Sequence, residues 1–192
     1  MSRVFVLIML LAAPAVASAQ DLPVVELRTA FGISNYLHGD IDYTTPTWLV
    51  AVRVGTGAIA FEPEFAYARH ENTETFGLGS ASPTVETSST TYKSFAVNVV
   101  GRWGSRASGY VGGGAGLYSE DHRFRQTNND RVFENTRNQG PRAGAQLVGG
   151  VDIPVASRIK VFGQARYEIR SFEDPGGGSV VQGFAGVALT IR

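Results

Sequence analysis

The sequence predicts an all-β fold, an eight-stranded antiparallel up-and-down transmembrane β-barrel preceded by a cleaved signal peptide. Three observations carry that expectation. Eight segments of about ten residues alternate apolar with polar side chains, and one face of each is free of charge. Tight turns and long polar connections join them in strict alternation. The second face gathers charged residues together with alanine and glycine, as the crowded interior of a narrow barrel requires.

Residues 1–19 read as an address rather than as structure. Arg3 supplies a short positive region, Val4 to Ala13 an apolar run, and Ala17-Ser18-Ala19 the small residues of a cleavage site, so the mature chain is expected to begin at Gln20. The run is too short to span a bilayer as a helix, and no other stretch approaches the ~20 apolar residues required. Residues 20–192 then form one barrel domain. The chain has no cysteine, which excludes disulfides and thiolate metal sites. A formal net charge of +0 argues against a nucleic-acid partner. The 23 glycines exceed the usual ~7%, so many positions must lack a side chain.

Period-two alternation places strands at 24–35, 46–55, 58–70, 92–103, 109–120, 141–153, 159–171 and 179–191. The first sets Val25, Leu27, Phe31 and Ile33 against Glu26 and Arg28. On the third, Ile59, Phe61, Pro63, Phe65 and Tyr67 oppose Ala60, Glu62, Glu64 and Ala66. The fourth puts Phe95, Val97, Val99 and Trp103 opposite Ala96, Asn98, Val100 and Arg102. On the seventh, Ile159, Val161, Ala165, Tyr167 and Ile169 oppose Lys160, Gln164, Arg166, Glu168 and Arg170. No segment keeps a 3.6-residue stripe, and β-branched and aromatic residues dominate. Pro63 must forfeit a ladder bond in mid-strand, which predicts a bulge there.

Gly55-Thr56-Gly57, Gly104 to Ser108 and Pro154 to Arg158 read as tight turns. Tyr36 to Thr45, Glu71 to Thr91, Asp121 to Gly140 and Phe172 to Gly178 read as long polar loops. Outer-membrane barrels have short periplasmic and long extracellular connections. An N-terminus in the periplasm puts every short turn on the periplasmic side. Cysteines introduced by Ser82→Cys and Asn129→Cys are therefore expected to react with an impermeant thiol reagent on whole cells, and one introduced by Ser157→Cys is not. Labelling at position 157 would reverse the orientation.

A secreted soluble calyx of lipocalin type, holding an apolar ligand, would show the same alternation with its faces exchanged. The polar face argues against it. That face holds Ala30, Gly32, Ala51, Ala60, Ala66, Ala96, Gly112, Gly114, Gly116, Gly144, Gly150 and Gly186, which a solvated surface does not need. The interior of an eight-stranded barrel does.

Tyr110-Val111-Gly112-Gly113-Gly114-Ala115-Gly116-Leu117-Tyr118 resembles the glycine-rich central strand of small outer-membrane β-barrel proteins of the OmpA/OmpX and opacity-protein type. Gly149 to Asp152 with Ile159 to Glu168 is similar to their penultimate hairpin, and Gly186 to Ile191 to the last-strand signal read by the barrel-assembly machinery. The resemblance spans the mature chain and implies residence in the outer membrane, among its lipid and lipopolysaccharide. The chain departs from the family in ending on Arg192 rather than an aromatic residue, and no peptidoglycan-binding domain follows, so that role is not carried over.

The inward face holds Glu26, Arg28, Arg53, Glu62, Glu64, Arg102, Asp152, Lys160, Arg166, Glu168 and Arg170, five acids against six bases. Unpaired charges in a narrow lumen are costly, so near-equal numbers predict mutual pairing. A structural network of Glu62, Glu64, Arg102, Arg166 and Glu168 is expected, with Arg166 facing the two glutamates across the lumen. It would plug the barrel. A narrow passive channel gated by the same salt bridges is the alternative.

No catalytic constellation is found. Lipid A deacylases and palmitoyl transferases of the same barrel form use a His-Ser pairing, and the deacylases' His-x-Ser spacing is absent around His38, His70 and His122. These histidines lie near Asp40, Asp42, Glu71, Glu74 and Asp121, but no ligand geometry is fixed, and neither metal nor cofactor is expected. The loops remain as the interaction surface: adhesion, or contact with lipopolysaccharide phosphates through Arg123, Arg125, Arg131 and Arg137. The expected role is thus structural or surface-interacting, without catalysis.

Overall fold

The computed structural model describes residues 23–38, 41–77, 83–104, 107–128, 131–170 and 178–191. The expected signal peptide, Ser82, Asn129, the Phe172–Gly177 stretch and Arg192 lie outside the described residues. Eight strands run β1 (Val24–His38), β2 (Ile41–Thr56), β3 (Ile59–Phe76), β4 (Thr84–Trp103), β5 (Ser108–Asn128), β6 (Arg131–Pro154), β7 (Ile159–Arg170) and β8 (Ser179–Thr190). Each pairs antiparallel with its sequence neighbours, and β1 pairs with β8 from Glu26↔Thr190 to Leu37↔Ser179, which closes the barrel.

The two faces are sorted in reverse of a soluble protein. Leu27, Phe31, Trp48, Val50, Phe65, Phe95, Val97, Leu117, Leu147, Val161, Val187 and Leu189 are all exposed, whereas Glu26, Arg28, Arg53, Glu62, Asp152, Arg166 and Glu168 are buried. Such an apolar exterior around a charged interior is stable only if lipid surrounds the wall. A soluble calyx needs the opposite arrangement. Phe31 and Trp48 meet edge to face, ring centroids 4.9 Å apart, on the lipid-facing side.

The tight turns fall where glycine permits them, with Gly57 at φ 60° and Gly104 at φ 103°. On the other rim β1 to β6 run past the expected ends, whereas β7 and β8 do not. Most of the segments Glu71 to Thr91 and Asp121 to Gly140, expected as loops, are strand: β3 pairs with β4 up to Phe76↔Thr84, β4 with β5 up to Thr84↔Asn128, and β5 with β6 up to Asn128↔Arg131. Threonine-rich stretches such as Thr84 to Thr91 favour this conformation. The pairing of β2 with β3 ends at Thr47↔Ala68, and that of β6 with β7 begins at Gly144↔Arg170. A four-stranded sheet, β3 to β6, therefore projects beyond the barrel rim.

Pro63 makes no bulge. Ala51↔Glu64 and Val54↔Phe61 keep one register on either side of it, and only the two intervening pairs are missing. The β4 side is intact, with Pro63↔Val97. The lost donor weakens one ladder locally, and the faces of β3 stand as expected. The irregularity lies instead in β6, where Tyr118↔Arg142 is followed by Glu120↔Gln139, opposite Gly140 and Pro141. Above that shift the faces of β6 exchange.

Candidate functional site

Alternation along the strands delivers all eleven inward charges to the lumen, and small residues make space for them. A Cβ on Gly150 would lie 2.5 Å from the Tyr110 hydroxyl, and one on Gly144 would lie 2.8 Å from the Tyr118 ring. Both tyrosines are buried, and they anchor two separate nests of charge.

The lower nest, toward the tight turns, centres on Arg28 and Arg53. Arg53 donates to Glu62 at 2.5 Å and to Asp152 at 2.9 Å. Arg28 donates to the other oxygen of Asp152 at 3.0 Å and lies 3.4 Å from Glu62 and 3.6 Å from Glu26. Lys160 pairs with Glu26, and Arg102 sits 3.9 Å from the same carboxylate. The Arg53 guanidinium lies 4.1 Å from the Tyr110 ring centroid, and Arg28 lies 3.9 Å from that of Phe162. Arg28 also donates to the Tyr110 hydroxyl, which donates on to Gln164.

The upper nest joins opposite walls. Arg166 on β7 reaches Glu64 on β3 at 2.7 Å and Glu168 at 3.2 Å. Arg170 holds the second oxygen of Glu168 at 2.9 Å. Gln146 donates to Glu64 at 2.5 Å and to Asn98 at 2.7 Å, and accepts from the Tyr118 hydroxyl. These charges are removed from water and held by multiple charge-assisted hydrogen bonds, the condition under which buried ions are tolerated.

The five residues expected to form one network are thus divided. Glu64, Arg166 and Glu168 meet in the upper nest. Glu62 belongs with Arg28 and Arg53 in the lower one, and Arg102 stands at its edge. The linking groups Tyr110, Tyr118, Gln146 and Gln164 are not evident as such in the sequence. The signal for the tyrosines is their even-numbered position in line with Gly112, Gly114 and Gly116, hence on the inward face.

On the projecting sheet, Arg123 stands opposite Thr136 and Arg125 opposite Glu134, on the face that continues the lipid-facing wall. Arg137 stands opposite His122 and Arg131 opposite Asn128, on the face that continues the lumen. The four arginines named as a lipopolysaccharide contact are therefore divided between the two faces, because the β6 shift exchanges that strand's faces. His122 pairs with Glu120, and its Nδ1 lies 2.9 Å from the Thr90 hydroxyl. Among the described residues no group of three His, Asp or Glu side chains could hold a metal ion. Asp40 and the side chains of His38 and Asp42 lie outside the description.

No protein-family model matches the sequence, and no curated protein is significantly similar to it. The fold, however, is that of known small outer-membrane barrels. Ail, the attachment invasion locus protein of Yersinia pestis, in complex with the heparin analogue sucrose octasulfate, is similar at a TM-score of 0.64 and 11% identity, over 89% of this chain and 100% of that one. Neisserial surface protein A is similar at a TM-score of 0.57 and 9% identity, over 87% and 97% of the two chains. A major outer membrane protein from Thermus thermophilus is similar at a TM-score of 0.52 and 11% identity, over 89% and 100%.

Proposed function

We propose that the protein is an integral outer-membrane barrel with a structural or surface-interaction role, a lumen closed by its own charges, and no catalytic activity. The observation that carries this reading is the Glu64–Arg166 pair, which spans the lumen from β3 to β7 at 2.7 Å in the upper nest, with the second nest beneath it. A conducting path would have to break buried ion pairs, which is costly. An eight-stranded barrel is only just wide enough for its own side chains. Export uses the 1–19 segment, the barrel-assembly machinery reads β8, and the wall then sits among outer-membrane lipid and lipopolysaccharide. The projecting sheet is the surface left for partners.

Two measurements test this. After membrane fractionation the protein is expected in the outer membrane with heat-modifiable gel migration, and recovery as a soluble periplasmic protein would end the reading. In planar bilayers the purified wild type is expected to show no stable conductance. Reproducible single-channel steps would instead make it a narrow channel.

A further inference from the structure

The face of the projecting sheet that continues the lipid-facing wall is not flat. It holds a cavity of about 390 Å³ lined by three cations, Arg69, Lys93 and Arg123, and one carboxylate, Asp121. Hydrogen-bonding side chains complete the lining, Thr91 and Asn138 among them. We infer that this cavity seats the phosphorylated sugar headgroup of an outer-leaflet glycolipid. The inference rests on the outer-membrane reading above and assigns that membrane's lipid a definite place on the protein.

Position is the first argument. Phe65, Phe95 and Leu117 are adjacent in register and exposed, forming the upper edge of the apolar wall. Two residues further along the same strands stand Tyr67, Lys93 and Ser119, and two further still Arg69, Thr91 and Asp121. At about 3.3 Å per residue, the cavity begins within one rung of the hydrocarbon boundary and opens on the lipid side. Tyr67 lines it at that boundary, where an amphipathic ring is at home.

Chemistry is the second. The lining itself carries three cations against one carboxylate, and Glu71 and Glu134 reach two of those cations from outside it. Lys93 lies 3.1 Å from Asp121, Arg69 lies 2.8 Å from Glu71, and Arg123 lies 3.6 Å from Glu134. These pairs are exposed and worth little in water, so an incoming phosphate can exchange for the carboxylates at small cost. Charge-assisted bonds from arginine to phosphate replace them. Thr91 and Asn138 suit sugar hydroxyls, and the apolar wall directly below suits acyl chains. A free anion would use only the first of these three features. An amphiphile with phosphate, sugar and hydrocarbon uses all of them.

The test is binding of purified diphosphoryl lipid A to the refolded mature chain in phosphatidylcholine nanodiscs. The wild type is expected to retain lipid A about tenfold better than Arg69→Gln/Lys93→Gln/Arg123→Gln, with Lys93→Gln alone intermediate. Arg131→Gln/Arg137→Gln, on the opposite face, should bind as wild type. All variants should keep heat-modifiable migration, since these side chains lie outside the barrel. Equal retention by the wild type and the triple variant would overturn the site. So would equal retention of a lipid A stripped of phosphate. Full competition by millimolar inorganic phosphate would show a free-anion site and overturn the lipid assignment. A wild type that does not enter nanodiscs at all would overturn the membrane reading itself, a result distinct from insertion without lipid A preference.

Discussion

Val97→Arg and Leu147→Arg should each block assembly in the outer membrane. Val97 is 43% exposed and Leu147 63% exposed on the wall outside the lumen, each flanked by further apolar side chains. A cation there has no partner on the protein and displaces lipid contact, at about +2 to +4 kcal/mol near the bilayer midplane. Marginal stability makes that a large fraction of the total. Ala96→Ser, one residue from Val97 and buried in the lumen, should assemble normally, because a hydroxyl there faces polar neighbours around Glu64. The measurement is heat-modifiable migration in outer-membrane fractions. Normal assembly of both arginine variants would mean that this face does not meet lipid.

The same contrast shows which part of the fold was legible in the sequence. Where lipid lies on one side and packed charge on the other, the two faces differ as much as residues can. Phe95, Val97 and Val99 against Ala96, Asn98 and Val100 could be assigned without a structure. Beyond the rim neither face meets hydrocarbon or a closed lumen, so the alternation vanishes although the strand continues. That is why Asn72 to Thr75 and Arg123 to Asn128 read as loop and fold as sheet. The exchange of faces at Gly140 and Pro141 was hidden for a related reason: no apolar face exists there to reveal the slip. Pro63 misled in the other direction. A residue without an N–H can stay in register when only one of its two neighbouring strands loses the bond.

The candidate site was legible in membership but not in grouping. Counting inward positions from the turns found eleven lumen-facing charges but missed Arg142, which stands opposite Tyr118, and it put Arg166 across from Glu64. It could not tell that Glu62, only two residues from Glu64, turns to Arg53 instead. Pairing across a barrel depends on strand tilt and stagger, which are properties of the closed sheet and not of any one strand. The tyrosines and glutamines between the charges were overlooked because uncharged polar residues stand out little on a polar face.

The division into two nests sharpens what removal of Arg166 should do. In Arg166→Ala, Glu168 keeps Arg170 at 2.9 Å, but Glu64 is left to uncharged donors such as the Gln146 amide. An uncompensated carboxylate in a buried site costs about 3–5 kcal/mol, so the variant should unfold at a clearly lower temperature or denaturant concentration. Neutralising the stranded acid should return much of that loss, so Arg166→Met/Glu64→Gln is expected to be more stable than Arg166→Ala. Lys160→Ala offers a comparison in the other nest. Lys160 is partly exposed at its edge, and Glu26 keeps Arg28 at 3.6 Å and Arg102 at 3.9 Å, so its loss should cost less. Thermal unfolding of the refolded barrel, followed by loss of β-sheet circular dichroism, ranks the three variants. A double variant less stable than Arg166→Ala would show that the pair serves packing across the lumen rather than compensation of charge. Equal stability of Arg166→Ala and wild type would remove the network from any account of how the barrel is held closed.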